Sequence, residues 1–97
     1  MDFDFTAPLW AWSGNAAWFF VSLPAEASDD IRELPRMPRG FGSVKVRVTV
    51  GSSTWDTSVF PDSTEGVYIL PVKKAVRAAE GIGEGDPVPV HLQLIEL

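Results

Sequence analysis

Val44-Lys45-Val46-Arg47-Val48-Thr49-Val50 decides the fold class. Successive side chains on a strand point to opposite faces, so this alternation places four valines inward and Lys45, Arg47 and Thr49 outward. The same pattern recurs on either side. Toward the C-terminus Val88, Val90, Leu92 and Leu94 alternate with Pro89, His91, Gln93 and Ile95; at the N-terminus Phe3, Phe5, Ala7 and Leu9 alternate with Asp2, Asp4, Thr6 and Pro8. Pro89 has no N–H to give a ladder, so its stretch is expected to begin at a sheet edge or a bulge. Three further runs read as strands. Trp18 to Leu23 is bulky throughout, which suggests burial on both faces; Thr54 to Phe60 is β-branched and aromatic; Val67 to Leu70 is short and apolar. Ser13-Gly14-Asn15, Gly51-Ser52-Ser53 and Pro61 to Gly66 supply turn residues between them and predict antiparallel hairpins.

Two short helices fit the remainder. Ser28 is placed as the cap of a helix running to Leu34, with Asp29 and Asp30 at its positive end and Pro35 and Pro38 stopping it. The second is expected from about Pro71 to Glu80, with Val72, Val76 and Ala79 on one face and Gly81 ending it. Laid side by side, the halves repeat. Each reads strand, Leu-Pro (Leu23-Pro24, then Leu70-Pro71), short helix, glycine-containing loop (Gly40 and Gly42, then Gly81, Gly83 and Gly85), strand. Proline there removes the next ladder donor and presets φ for a first helical turn. Two like-built halves can bury their apolar faces against each other. The expectation is therefore one mainly β domain over residues 1–97: a small closed or double-split β-barrel with about six to seven strands, two short helices and a pseudo-twofold internal repeat.

Bulk properties narrow the function classes. The 97 residues suffice for one core, and 45% hydrophobic with 22% charged residues is ordinary globular composition. No cysteine is present, so disulfides and thiolate metal sites are excluded. A net charge of −5 argues against nucleic acid or anionic lipid as a general partner. No apolar run approaches the ~20 residues of a membrane span. The start Met1-Asp2-Phe3-Asp4 is acidic where a signal peptide is basic, which makes the cytoplasm the expected compartment.

Trp18 to Pro24, Val46-Arg47-Val48 and Trp55-Asp56-Thr57-Ser58-Val59-Phe60-Pro61 resemble a small prokaryotic family known only as domain of unknown function 1905. Its pattern is matched best by Gly66-Val67-Tyr68-Ile69-Leu70-Pro71-Val72-Lys73-Lys74-Ala75-Val76-Arg77, with Gly81 and Gly85-Asp86-Pro87-Val88 following. The resemblance covers nearly the whole chain and implies a double-split β-barrel with no established activity. The second half is also similar to the swapped-hairpin domains of AbrB-type regulators and MazE-type antitoxins, which bind DNA as intertwined dimers. Here both halves lie in one polypeptide, so a monomer or weak dimer is expected.

Lys73, Lys74 and Arg77 are the most pointed constellation. Lysines in a first helical turn oppose the macrodipole at ~0.3–1 kcal/mol each, and placement against preference marks a site that wants positive charge. The plainer alternative is that they face water or pair locally. Trp55 and Ser58 are taken with them as candidate ligand-binding residues. Arg32, Arg36 and Arg39 form a looser basic stretch in the other half. Trp10, Trp12, Trp18 and Trp55 either cover the core and sheet or line a pocket, and an exposed aromatic patch would point to a protein partner. Trp10 and Trp12 oppose Phe3 and Phe5 in strand parity, so one pair faces outward unless an irregularity near Pro8 intervenes.

No catalytic set can be assembled. His91 is the sole histidine and reads as structural, and a lone histidine disfavours a nitrogen-rich metal site. Gly81, Gly83 and Gly85 lead into a strand rather than a helix, so they read as a helix end and turns, not a phosphate cradle, with Asp86 bonding inside the turn. Neither cofactor nor metal is expected. The leading expectation is a non-enzymatic module that binds a small anionic ligand or a protein partner around the second helix. An AbrB-like DNA-binding regulator is the alternative.

Overall fold

A computed structural model describes residues 1–14, 17–34 and 42–95. The valine strand is β4 (Val44–Val50), and its four valines are buried at 0–2% exposure while Lys45 and Arg47 are exposed. It lies between β5 (Ser53–Asp62) and β7 (Pro87–Leu94). A two-residue turn joins β4 to β5, opened by Gly51 at φ 59°, the position where such hairpins place glycine. The remaining strands are β1 (Asp2–Pro8), β2 (Trp10–Ala11), β3 (Phe19–Ser22) and β6 (Val67–Pro71). All pair antiparallel in the order β1-β7-β4-β5-β6-β3-β2, a seven-stranded sheet curled into a half-barrel. The two outer strands, β1 and β2, are consecutive in the chain with only Leu9 between them.

Pro89 sits in a strand with neighbours on both sides, yet the expected edge exists locally. Leu94 N–H donates to Met1 O, so the even-numbered donors of β7 face β1 and the nitrogen of Pro89 faces β4. The β4 ladder has already ended at Thr49↔His91, and the missing donor is not needed.

The helices are shifted from their expected limits. The first, α1 (Ala25–Arg32), starts directly after Pro24, and Ser28 is not its cap. Ser28 lies in mid-helix at 0% exposure, where its Oγ accepts the Tyr68 N–H at 3.0 Å. Asp29 and Asp30 fall in the C-terminal half of α1 instead of at its positive end, and Asp29 pairs with Arg32 at 2.8 Å. Pro35, Pro38 and Gly40 lie outside the described residues. The second, α2 (Lys74–Glu80), is shorter than expected, with Lys73 extended at its N-cap and Gly81 ending it at φ 65°. Val76 is its buried residue; Ala79 is exposed, and Val72 is buried from an extension of β6. The core joins these helices to the sheet through Leu23, Ile31, Leu70, Val72, Val88 and Leu92, each at 0–2% exposure and each worth ~1.5–3 kcal/mol of burial.

Trp18 to Leu23 is covered on both faces only in part. Val21 and Leu23 enter the core, and Phe20 is buried on the opposite face beneath Trp10, ring centroids 5.1 Å apart. Trp18 is 57% exposed. Strand parity persists through Leu9, so Leu9 is buried and Trp10 and Trp12 stay on the outer face.

Replacing Ser28 with Ala removes the acceptor that α1 offers to β6 inside the core. The Ser28→Ala chain should lose about 1–3 kcal/mol in urea unfolding; an unchanged midpoint would show that this hydrogen bond does not hold α1.

Candidate functional site

Proline 71 sets the geometry of the site. Val72 N–H donates to Phe19 O at 2.9 Å, so donors on β6 alternate, with even-numbered nitrogens toward β3 and those of Ile69 and Pro71 toward β5. The β5–β6 ladder runs Asp62↔Val67, Pro61↔Tyr68, Phe60↔Ile69 and stops. The next bonded pair would be Ser58 with Pro71, where proline has no hydrogen to give. Beyond this point β6 continues beside β3, and β5 continues beside β4 over Ser53–Val59. The sheet splits there.

A groove of about 1000 Å³ occupies the split. Trp55, Asp56, Thr57 and Phe60 of β5 form one wall, and Phe19, Phe20, Ile69, Pro71 and Val72 form the other. Trp12, Ala17 and Trp18 border its outer side, while Lys73, Lys74 and Arg77 border the end near α2. The groove therefore unites Trp55 with the three basic residues singled out from sequence. Ser58 is not among its lining residues. Trp10 also lies apart, with its Nε1–H donating to Ser22 Oγ at 3.0 Å.

The three cations differ in freedom. Arg77 is half-buried; its Nε–H donates to Val72 O at 3.1 Å and its guanidinium lies 4.1 Å from the Phe19 ring centroid. A contact of that kind is worth roughly 0.5–2 kcal/mol, so Arg77 packs the wall as well as charging it. Lys73 and Lys74 are exposed, and neither has an acidic partner among the described residues. Among the described residues Asp56 is the one acid lining the groove, and it is held by Arg47, whose Nε and Nη2 donate to its two oxygens at 2.8 and 3.1 Å. That hydrogen-bonded partner keeps the Asp56 carboxyl below its ordinary pKa. Its charge is thus matched, and the α2 end of the groove is left net positive.

Arg32, the described member of the looser basic stretch, is engaged with Asp29 and with Gly66 O, each at 2.8 Å. Arg36 and Arg39 lie outside the described residues. A second, shallower cleft lies over β1 and β7 and includes Asp4, Thr6, Thr49 and His91. His91 Nδ1 is 2.8 Å from Asp4 Oδ1 and Nε2 is 3.7 Å from Asp2 Oδ2, while the Thr49 hydroxyl bonds that of Thr54 at 3.2 Å. Among the described residues no hydroxyl is hydrogen-bonded to the imidazole. Gly83 N–H donates to Asp86 Oδ2 at 2.8 Å, the turn-internal bond expected of Asp86.

A family model described as "Domain of unknown function (DUF1905)" matches residues 5–92, which takes in every strand that borders the groove. The chain belongs to that family. No curated protein matches it. The DUF1905 match thus agrees with the resemblance carried by Trp18 to Pro24 and Gly66 to Arg77, and it brings no activity with it. Phe19, Phe20, Phe60 and Pro71 were not singled out from sequence as site residues. The signal for them was Leu70-Pro71, a proline at the place where a ladder ends.

Helix α2 is tied down at its far end. The Glu80 carboxylate accepts Ser53 Oγ–H at 2.6 Å, Ser52 Oγ–H at 3.1 Å and Ser52 N–H at 3.4 Å, which lowers its pKa, Ser53 contributing most. Because the folded-state value is depressed, this tether stabilises the fold above the ordinary glutamate pKa of about 4.3 and is lost as pH falls through the lowered value. From about pH 7 to about pH 3, the urea midpoint of the wild-type chain should fall further than that of Glu80→Gln. Parallel declines would show that the serines do not respond to the carboxylate's charge.

Proposed function

We propose that this chain is a binding module whose groove accepts a ligand with a flat apolar body and an anionic group. The observation that carries this reading is the convergence of Trp55, Lys73, Lys74 and Arg77 on one aromatic-walled groove. Its volume of about 1000 Å³ is at the large end of the roughly 300–1,000 Å³ typical of ligand clefts, and its lining follows the same plan of apolar walls with a few placed polar groups. The apolar body stacks among Trp12, Trp18, Phe20 and Phe60, and the anion meets Lys73 and Lys74.

The reading goes with a split-barrel view of the whole molecule. In that view β1 and β2 are one strand bent at Leu9, with its first part on β7 and its second on β3. β5 divides itself between β4 and β6 in the same way. Leu23-Pro24 and Leu70-Pro71 then hold equivalent places in two related halves, and closure through Leu9 lets a monomer act alone.

Titration with 1-naphthoate and with uncharged 1-naphthalenemethanol, followed by tryptophan fluorescence, tests the site. The carboxylate should bind more tightly, and its advantage should shrink by about two- to thirtyfold in a Lys73→Ala, Lys74→Ala double variant, as exposed charge contacts are worth ~0.2–1 kcal/mol each. Equal binding of the two probes to wild type and variant would remove the lysines from the site.

A further inference from the structure

We infer that the natural occupant of the groove is an extended peptide segment, added as a strand to the free edge of β5, with a carboxylate meeting Lys73 and Lys74. This rests on the binding reading above and names its ligand class.

The argument starts at the β4–β5 turn. Val50 and Ser53 flank a two-residue hairpin loop and so exchange both backbone hydrogen bonds. By alternation Trp55, Thr57 and Val59 direct their N–H and C=O groups at β4, while Asp56 and Ser58 direct theirs away from it. Phe60, of the same parity, spends its groups on Ile69 of β6. Asp56 and Ser58 have no backbone partner on that side among the described residues, since β6 stops at the Pro71 level. Ser58 itself does not line the groove, but its main-chain groups lie on the same unpaired edge as those of Asp56, one step further along β5.

Three consecutive residues, Trp55, Asp56 and Thr57, line the groove, as they do when a cavity runs along a strand's edge. Unpaired strand edges are templates for another strand, and here the template lies in a trough with aromatic walls. At ~3.3 Å per residue, the stretch from Trp55 to Ser58 is roughly 10 Å long, enough to register three to four residues of an added strand. Backbone pairing uses the donors and acceptors of Asp56 and Ser58, and alternate side chains meet Trp18, Phe20 and Phe60. The exposed, acid-free Lys73 and Lys74 at the α2 end specify an acidic side chain or a C-terminal carboxylate. A compact aromatic anion would satisfy the walls and the lysines but leave the edge unused.

The test is selection of a random octapeptide display library on the intact chain, followed by synthesis of the strongest binder. Replacing its backbone N–H groups one at a time with N-methyl should weaken binding by about tenfold or more at every second residue and leave the intervening positions near wild type. On binding, the amide protons of Asp56 and Ser58 should gain protection from hydrogen exchange, while those of Trp55 and Thr57, already bonded to β4, should change little. A selected peptide whose N-methyl profile lacks this alternation, or which leaves Asp56 and Ser58 unprotected, overturns strand addition. If no peptide is selected while 1-naphthoate still binds in a lysine-dependent way, strand addition falls and the groove remains a site for small anions. If neither binds, both readings fall together.

Discussion

A proline placed where a sheet needs a donor organises this molecule. The nitrogen of Pro71 faces β5 and has no hydrogen, so a Ser58–Pro71 pair would lose one of its two bonds, and the ladder that begins at Asp62↔Val67 ends at Phe60↔Ile69. Two strands that start as a hairpin therefore part, β6 to join β3 and β5 to run with β4. Unpaired backbone groups are costly when buried and tolerable when water reaches them, so the gap persists as an open groove instead of packing shut.

Everything around the gap is arranged by ordinary packing. Val72 leaves β6 still bonded to Phe19 and still buried, which fixes where α2 begins. Arg77 then reaches back to Val72 O and lies on Phe19, and Glu80 fastens the other end of the helix to Ser52 and Ser53. Lys73 and Lys74 are left at the groove's end by these constraints. Trp10, Trp12 and Trp18 form an outer layer over Phe20. Trp10 is fixed by Ser22 and covers Phe20, while Trp12 and Trp18 remain 41% and 57% exposed at the groove's border.

How much of this was legible depended on whether the signal was local. The alternation in Val44 to Val50, the glycine that ends α2 and the Asp86 turn are statements about neighbours in sequence, and the structure matches each. Ser28 shows the limit. Its type suits a helix cap, but its hydroxyl serves a backbone N–H on Tyr68, forty residues away, and the helix begins earlier behind Pro24. Pro71 was read from sequence as the start of a helix, but it closes β6 and α2 begins only at Lys74; its role at the end of a ladder was not legible, because the partner it fails is Ser58 on another strand.

Side-chain periodicity and turn chemistry in the sequence alone determined a mainly antiparallel β chain with two short helices, and identified Lys73 and Lys74 as cations set against local preference, with Arg77 beside them on the same helix. Tertiary structure alone decided that Trp55 shares a groove with them, that Arg77 is half spent on Phe19, and that Ser58 is not among the residues lining it. The physical reason is that a strand's pattern specifies which face a side chain takes, but not which neighbour its edge meets. That is settled only when β3, β4, β5 and β6 compete for each other's hydrogen bonds.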